Sequence, residues 1–148
     1  MELGWDSMEH LVFVYGSLKR GFGNHDFMEG CEFVAATTTL GKCYRMISLG
    51  AFPAIISEKS GWDIAGELYR VDDLTLDFLD TLEGNGMFYQ REQAELASGH
   101  TAWVYCLIQD FGVTESSKSS DRIKTKKGTQ SWMLPSHGGQ DFAEVKFV

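Results

Sequence analysis

Apolar residues fall along this chain in short runs separated by polar punctuation. Leu11-Val12-Phe13-Val14-Tyr15 is unbroken and ends at Gly16, the pattern of a strand buried on both faces. Similar segments, most of them rich in β-branched or aromatic residues, follow at 32–40, 42–49, 54–57, 64–71, 88–96 and 101–108. In one, Trp62, Ile64, Gly66 and Leu68 fall on one face and Asp63 and Glu67 on the other. Ser98-Gly99 predicts a hairpin between the last two segments. Asn24 is placed to cap a single helical turn through Met28.

Residues 72–84 break the strand pattern. Positions 74, 78 and 82, with 79, fit one helical face, and Leu76 falls off it. Asp72 or Asp73 can cap the helix, early acids suit its positive end, and Gly84 can end it. Many short strands and one helix predict an α+β fold, a small, mostly antiparallel β-barrel with flanking helices. Residues 11–110 form the predicted domain. Residues 111–131, with few apolar positions, read as a flexible polar loop, and 132–148 as a C-terminal tail whose Trp132-Met133-Leu134-Pro135 could dock back onto the body. Residues 1–10 read as a loose leader.

At 148 residues the chain has the size of one domain, large enough to bury a core without a disulfide or metal staple. Net charge is −8, from 13 basic and 21 acidic residues, which argues against nucleic-acid binding. The charge is uneven: 7 basic and 17 acidic residues precede position 111, and 6 basic and 4 acidic follow. The run Lys118, Arg122, Lys124, Lys126 and Lys127 reads as solvated. Cys31, Cys43 and Cys106 fit no zinc or redox spacing, and are expected as small core residues. With no apolar stretch of membrane-spanning length and no signal peptide, a cytoplasmic protein without membrane association is expected.

Three places could carry chemistry. Tyr15-Gly16-Ser17-Leu18 ends a strand, where a tight turn can present backbone N–H groups to an anion, although an ordinary strand-to-loop turn fits the same residues. Glu83 stands at the negative end of the predicted helix. Burial there would raise its pKa towards the range of a general base; a solvated surface glutamate is the plain alternative. Tyr89 and Arg91 share a strand face that could line a pocket for an anion, or could be a surface pair. His10, His25, His100 and His137 show no metal-ligand spacing, so no metal site is expected. Ser17 with His25 lacks the elbow motif of a serine hydrolase.

Taken together, these fragments resemble the gamma-glutamylcyclotransferase-like family. The matching residues are Val14-Tyr15-Gly16-Ser17-Leu18, Gly21 with Asn24-His25, Leu49-Gly50-Ala51-Phe52-Pro53-Ala54 and Gly66-Glu67-Leu68-Tyr69. They continue with Leu79-Asp80-Thr81-Leu82-Glu83-Gly84, Tyr89-Gln90-Arg91 and Ala102-Trp103-Val104-Tyr105. Order and spacing hold from about residue 11 to 109, with a possible further match at Ser131-Trp132. The resemblance implies a compact β-barrel whose Tyr15–Leu18 loop binds a gamma-glutamyl group and whose Glu83 is the general base. It implies a small-molecule gamma-glutamyl substrate, no cofactor, and release of 5-oxoproline with a free amine or amino acid. Some members lack the glutamate that is present here, and some have Thr where Ser17 stands, a change that keeps the hydroxyl. Two other functions fit the sequence: a non-catalytic module of the same fold that binds a small acidic metabolite, and an interaction protein using 112–131 and Trp132. Protein partners are not readable from the sequence.

Overall fold

A computed structural model describes residues 9–50, 52–84, 86, 88–108 and 115–134. Most of the predicted leader, Ala51 and the tail beyond Leu134 lie outside these residues. The strands are β1 (Glu9–Val14), β2 (Glu32–Thr38), β3 (Tyr44–Ser48), β4 (Pro53–Ser57), β5 (Asp63–Asp72), β6 (Tyr89–Glu95), β7 (Thr101–Leu107), β8 (Ile123–Lys126) and β9 (Thr129–Trp132). A helix, α1 (Asp73–Glu83), lies between β5 and β6, and 3₁₀ turns occupy His25–Met28 and Glu115–Lys118.

The sheet order is β6-β7-β1-β5-β9-β8, with β2 also paired to β5; β3 and β4 form a separate antiparallel hairpin. β5 is the hub. Its residues 67–72 pair with β1, 65–70 with β2, and 63–64 with β9. At one end the Leu40 N–H donates to the Glu95 carbonyl and the Ala97 N–H to that of Thr38. These bonds join β2 to β6 and curl the sheet into a half-barrel.

Two parts of the predicted architecture need correction. The sheet is mixed, because β1–β7 and β5–β9 are parallel. Antiparallel hairpins announce themselves through local turns such as Ser98-Gly99, whereas parallel neighbours are distant in sequence and leave no local mark. The expected flanking helices reduce to one, since α1 is the sole α-helix among the described residues. Part of the predicted loop 111–131 is also regular structure. The β8–β9 hairpin exposes Lys124, Thr125 and Lys126 and buries only Gln130 and Trp132, so it has almost no apolar alternation to read.

The core forms where the apolar runs meet. Val12, Phe13, Val14 and Tyr15 are all fully buried, as a strand covered on both faces requires. Gly66 makes room for them: a Cβ there would fall 2.3 Å from the Val14 carbonyl oxygen and 2.7 Å from the Phe13 ring. Trp132 docks at 0% exposure. Of the cysteines, only Cys106 is buried; Cys43 is exposed and Cys31 intermediate, so the all-core expectation holds for one of three.

Helix α1 begins and ends as predicted. The Asp72 carboxylate accepts the Thr75 N–H at 2.8 Å, which holds its pKa below the usual carboxylate value. Gly84 takes the left-handed conformation, φ 64°, and its N–H donates to the Asp80 and Thr81 carbonyls. The buried face differs from the one predicted. Leu76, Leu79 and Glu83 are buried, while Leu74 is 80% exposed and Phe78 45%. The inward stripe is Leu76, Leu79, Asp80 and Glu83, spaced i, i+3, i+4 and i+7. Two acids sit where an apolar pattern looks for leucines. In the 3₁₀ turn, Asn24 makes no side-chain cap; its amide serves Ser17 instead.

Candidate functional site

α1 carries Glu83 into the interior at 1% exposure, beneath the strand ends that supply Tyr15, Tyr89 and Tyr105, each 0% exposed. The approach is set by the chain itself. Gly84 stops the helix, the Phe88 N–H donates to its carbonyl, the Gly86 N–H donates to that of Tyr89, and β6 starts at once. Glu83 and Tyr89 are thereby locked to opposite ends of one tight turn.

Each tyrosine hydroxyl is fixed. Tyr15 donates to the Tyr105 carbonyl at 2.7 Å, Tyr89 to the Pro53 carbonyl at 3.1 Å, and Tyr105 to Asp80 Oδ1 at 2.6 Å. Burial pushes all three phenols up in pKa, and the Glu83 charge adds to the shift at each. For Tyr15 the neighbouring Tyr89 and Cys106 also raise it, and the Ile55 backbone opposes them. For Tyr105 the Asp80 contact adds to burial, and Arg91 opposes both. These hydroxyls stay protonated and act as hydrogen-bonding groups at neutral pH.

Arg91 lies on the Tyr89 face of β6, as predicted. Its Nε and Nη2 donate to the two Asp80 carboxylate oxygens at 2.7 and 3.1 Å, a bidentate pair. The guanidinium also stands 4.2 Å from the Trp103 ring centroid. The structure thus engages Arg91 with the helix. Tyr105 is its register partner on β7, so Asp80 collects both from one side. Asp80 and Tyr105 were not singled out from the sequence as site residues. The available signal was the three-residue step from Asp80 to Glu83.

Tyr15, Gly16, Ser17 and Leu18 are all buried. The turn closes through the Lys19 N–H, which donates to the Gly16 carbonyl at 3.0 Å. Asn24 holds Ser17 twice: its amide Nδ2 donates to Ser17 Oγ at 2.9 Å and its backbone N–H to the Ser17 carbonyl at 2.9 Å. His25 Nδ1 donates to the Leu18 carbonyl at 2.9 Å. This explains the company Asn24-His25 keeps with the loop: they brace it. Among the described residues no three His, Cys, Asp or Glu side chains are grouped to hold a metal ion, and no helix is long and apolar enough to cross a membrane.

A family model described as "Gamma-glutamyl cyclotransferase, AIG2-like" matches residues 12–132, a span that includes the β8–β9 hairpin. A Vibrio cholerae relative is 38% identical over 98 residues, covering 66% of this chain and 82% of its own. A Rattus norvegicus protein named gamma-glutamylaminecyclotransferase is 36% identical over 91 residues, 54% of this chain and 58% of its own length. Among solved structures, an AIG2-like protein from Mus musculus superposes with a TM-score of 0.67 at 22% identity, covering 92% of this chain and 97% of that one. At that identity the likeness is one of fold.

Proposed function

Because this chain belongs to the gamma-glutamyl cyclotransferase, AIG2-like, family, we propose that it converts a gamma-glutamyl amine or gamma-glutamyl amino acid into 5-oxoproline and a free amine. The observation that carries this reading is Glu83, a carboxylate buried to 1% exposure among three fixed tyrosines at the end of α1.

Such a substrate brings its own nucleophile. Its α-amino group can reach the γ-carbonyl and close a five-membered lactam, so the protein need supply no attacking group. Glu83 takes the proton that the α-ammonium must lose. The freed nitrogen bonds to the γ-carbon and gives up a second proton as the lactam forms, the bond to the leaving amine breaks, and that amine departs with both protons, one of them returned by Glu83. Burial and the negative end of the helix both favour a carboxylate that accepts protons. A positioned base of this kind typically contributes about 10²–10⁴-fold. The Tyr15–Leu18 segment and Tyr89 hold the substrate folded, and orientation can contribute roughly 7–11 kcal/mol. Arg91 supports the site through Asp80. A small-molecule substrate and a cytoplasmic setting belong to this proposal.

The test is 5-oxoproline release from a panel of gamma-glutamyl amines, gamma-glutamyl amino acids and gamma-glutamyl-lysine. Release from at least one class is expected, and the class identifies the leaving group. No release by folded protein would favour a module that binds an acidic metabolite without turnover.

A further inference from the structure

We infer that Lys19 is a positioning residue, whose ammonium ties the C-terminal hairpin β8–β9 to the Tyr15–Leu18 segment and so holds that segment ready for substrate. The inference rests on the cyclotransferase reading for its kinetic consequence only.

Lys19 acts at two ends. Its backbone N–H closes the turn on the Gly16 carbonyl. Its Nζ donates to the Trp132 carbonyl at 3.0 Å, a contact across 113 residues. The stem packs with the ammonium 4.6 Å from the Phe22 ring centroid. The charged group facing Lys19 is Glu67 of β5, which is shared with Arg20 and the Tyr69 hydroxyl.

The far end is built to be held. Trp132 is fully buried, and its indole N–H has no hydrogen-bond partner among the described residues. Arg122 stacks 4.4 Å from its ring centroid and donates through Nε to the Met133 carbonyl, while the Met133 N–H donates to the Arg122 carbonyl. Gln130, 3% exposed, accepts the Met46 N–H at 2.7 Å and pins the hairpin to β3. β9 has only two paired positions on β5, so its seat depends on such side-chain ties.

Economy of burial points the same way. A methionine in place of Lys19 would carry no charge to desolvate. A lysine there instead demands an acceptor in one place, which specifies geometry. Burial lowers its pKa to about 8, with Glu67 acting in the opposite direction.

The experiment uses the full chain with Lys19→Met and Lys19→Arg. Amide hydrogen exchange is followed over 123–132, alongside KM and kcat for a gamma-glutamyl compound that the wild type turns over. In Lys19→Met, exchange of the hairpin amides and KM should each rise roughly tenfold, the scale of one charge-assisted hydrogen bond. The kcat should stay within about twofold, as expected when binding rather than the chemical step is affected. Lys19→Arg, which keeps a cationic donor, should return both quantities most of the way. Unchanged exchange and KM would overturn the inference. So would a raised KM with unchanged exchange, which makes Lys19 a direct ligand, or faster exchange with unchanged KM, which makes it merely structural. Should the wild type turn over no compound, the cyclotransferase reading fails on its own, and the exchange arm still decides whether the tie exists.

Discussion

Helix α1 presents two stripes to two environments. Leu76, Leu79, Asp80 and Glu83 face the sheet; Leu74 and Phe78 face outward, Phe78 partly covered by the Phe27 ring at 5.5 Å. By residue type the outer stripe is the more apolar of the two. The inner one carries two of the helix's carboxylates: Asp80 gathers Arg91 and Tyr105, and Glu83 lies among Tyr15, Tyr89 and Tyr105. A helix that served only packing would turn its leucines and phenylalanine inward. This one gives interior space to acids, which is costly unless the acids are used or satisfied. The difference between the faces marks the candidate site more clearly than any single residue does.

The contrast can be challenged by mutation. Leu79→Ala, on the inner stripe, should lower stability by about 2–5 kcal/mol; a loss below 1 kcal/mol in denaturant unfolding would mean that face is not the packed one. Asp80→Ala removes the acceptor shared by Arg91 and the Tyr105 hydroxyl and should cost about 1–3 kcal/mol. It should also lower turnover while leaving Glu83 in place, and unchanged stability would remove the pair from the support of the site.

A pH experiment addresses Lys19. Its folded pKa is lowered to about 8 from 10.5, so between these values the unfolded chain binds more protons. The stability of wild type relative to Lys19→Met should therefore rise with pH across that window, by at most about 1.4 kcal/mol per pH unit. Using the difference cancels the buried tyrosines, whose raised pKa values destabilise the fold above pH 10 in both proteins. A flat difference would contradict the half-buried ammonium. Smallest of all, Leu74→Ser on the outer stripe should change stability by no more than about 0.5 kcal/mol. A loss near that of Leu79→Ala would show that the outer face is packed after all.

What could be read from sequence was local. The β1 run, the Asp72 and Gly84 caps and the Ser98-Gly99 hairpin each carry their own signal within a few residues. The inward face of α1 did not, because Asp80 and Glu83 occupy positions that a hydrophobic pattern scores against. The parallel pairs did not, because Val12 meets Trp103 and Asp63 meets Thr129 across long separations. β8 and β9 were hidden by their polar composition. Of the candidate site, Tyr15, Glu83 and Tyr89 are readable through motif order, and their roles remain part of the proposal. Asp80 and Tyr105 are harder to read, because their placement shows only in the contacts that Asp80 makes with Arg91 and the Tyr105 hydroxyl.

The most direct measurement compares wild type with Glu83→Gln for 5-oxoproline release and, by calorimetry, for binding of the same gamma-glutamyl compound. The glutamine keeps the shape and loses the proton acceptor. Binding should persist with a Kd within a few-fold while kcat falls about 10²–10⁴-fold, the contribution of a general base. Turnover retained by a folded, binding-competent Glu83→Gln protein would contradict the assignment of Glu83 and move the chemistry elsewhere.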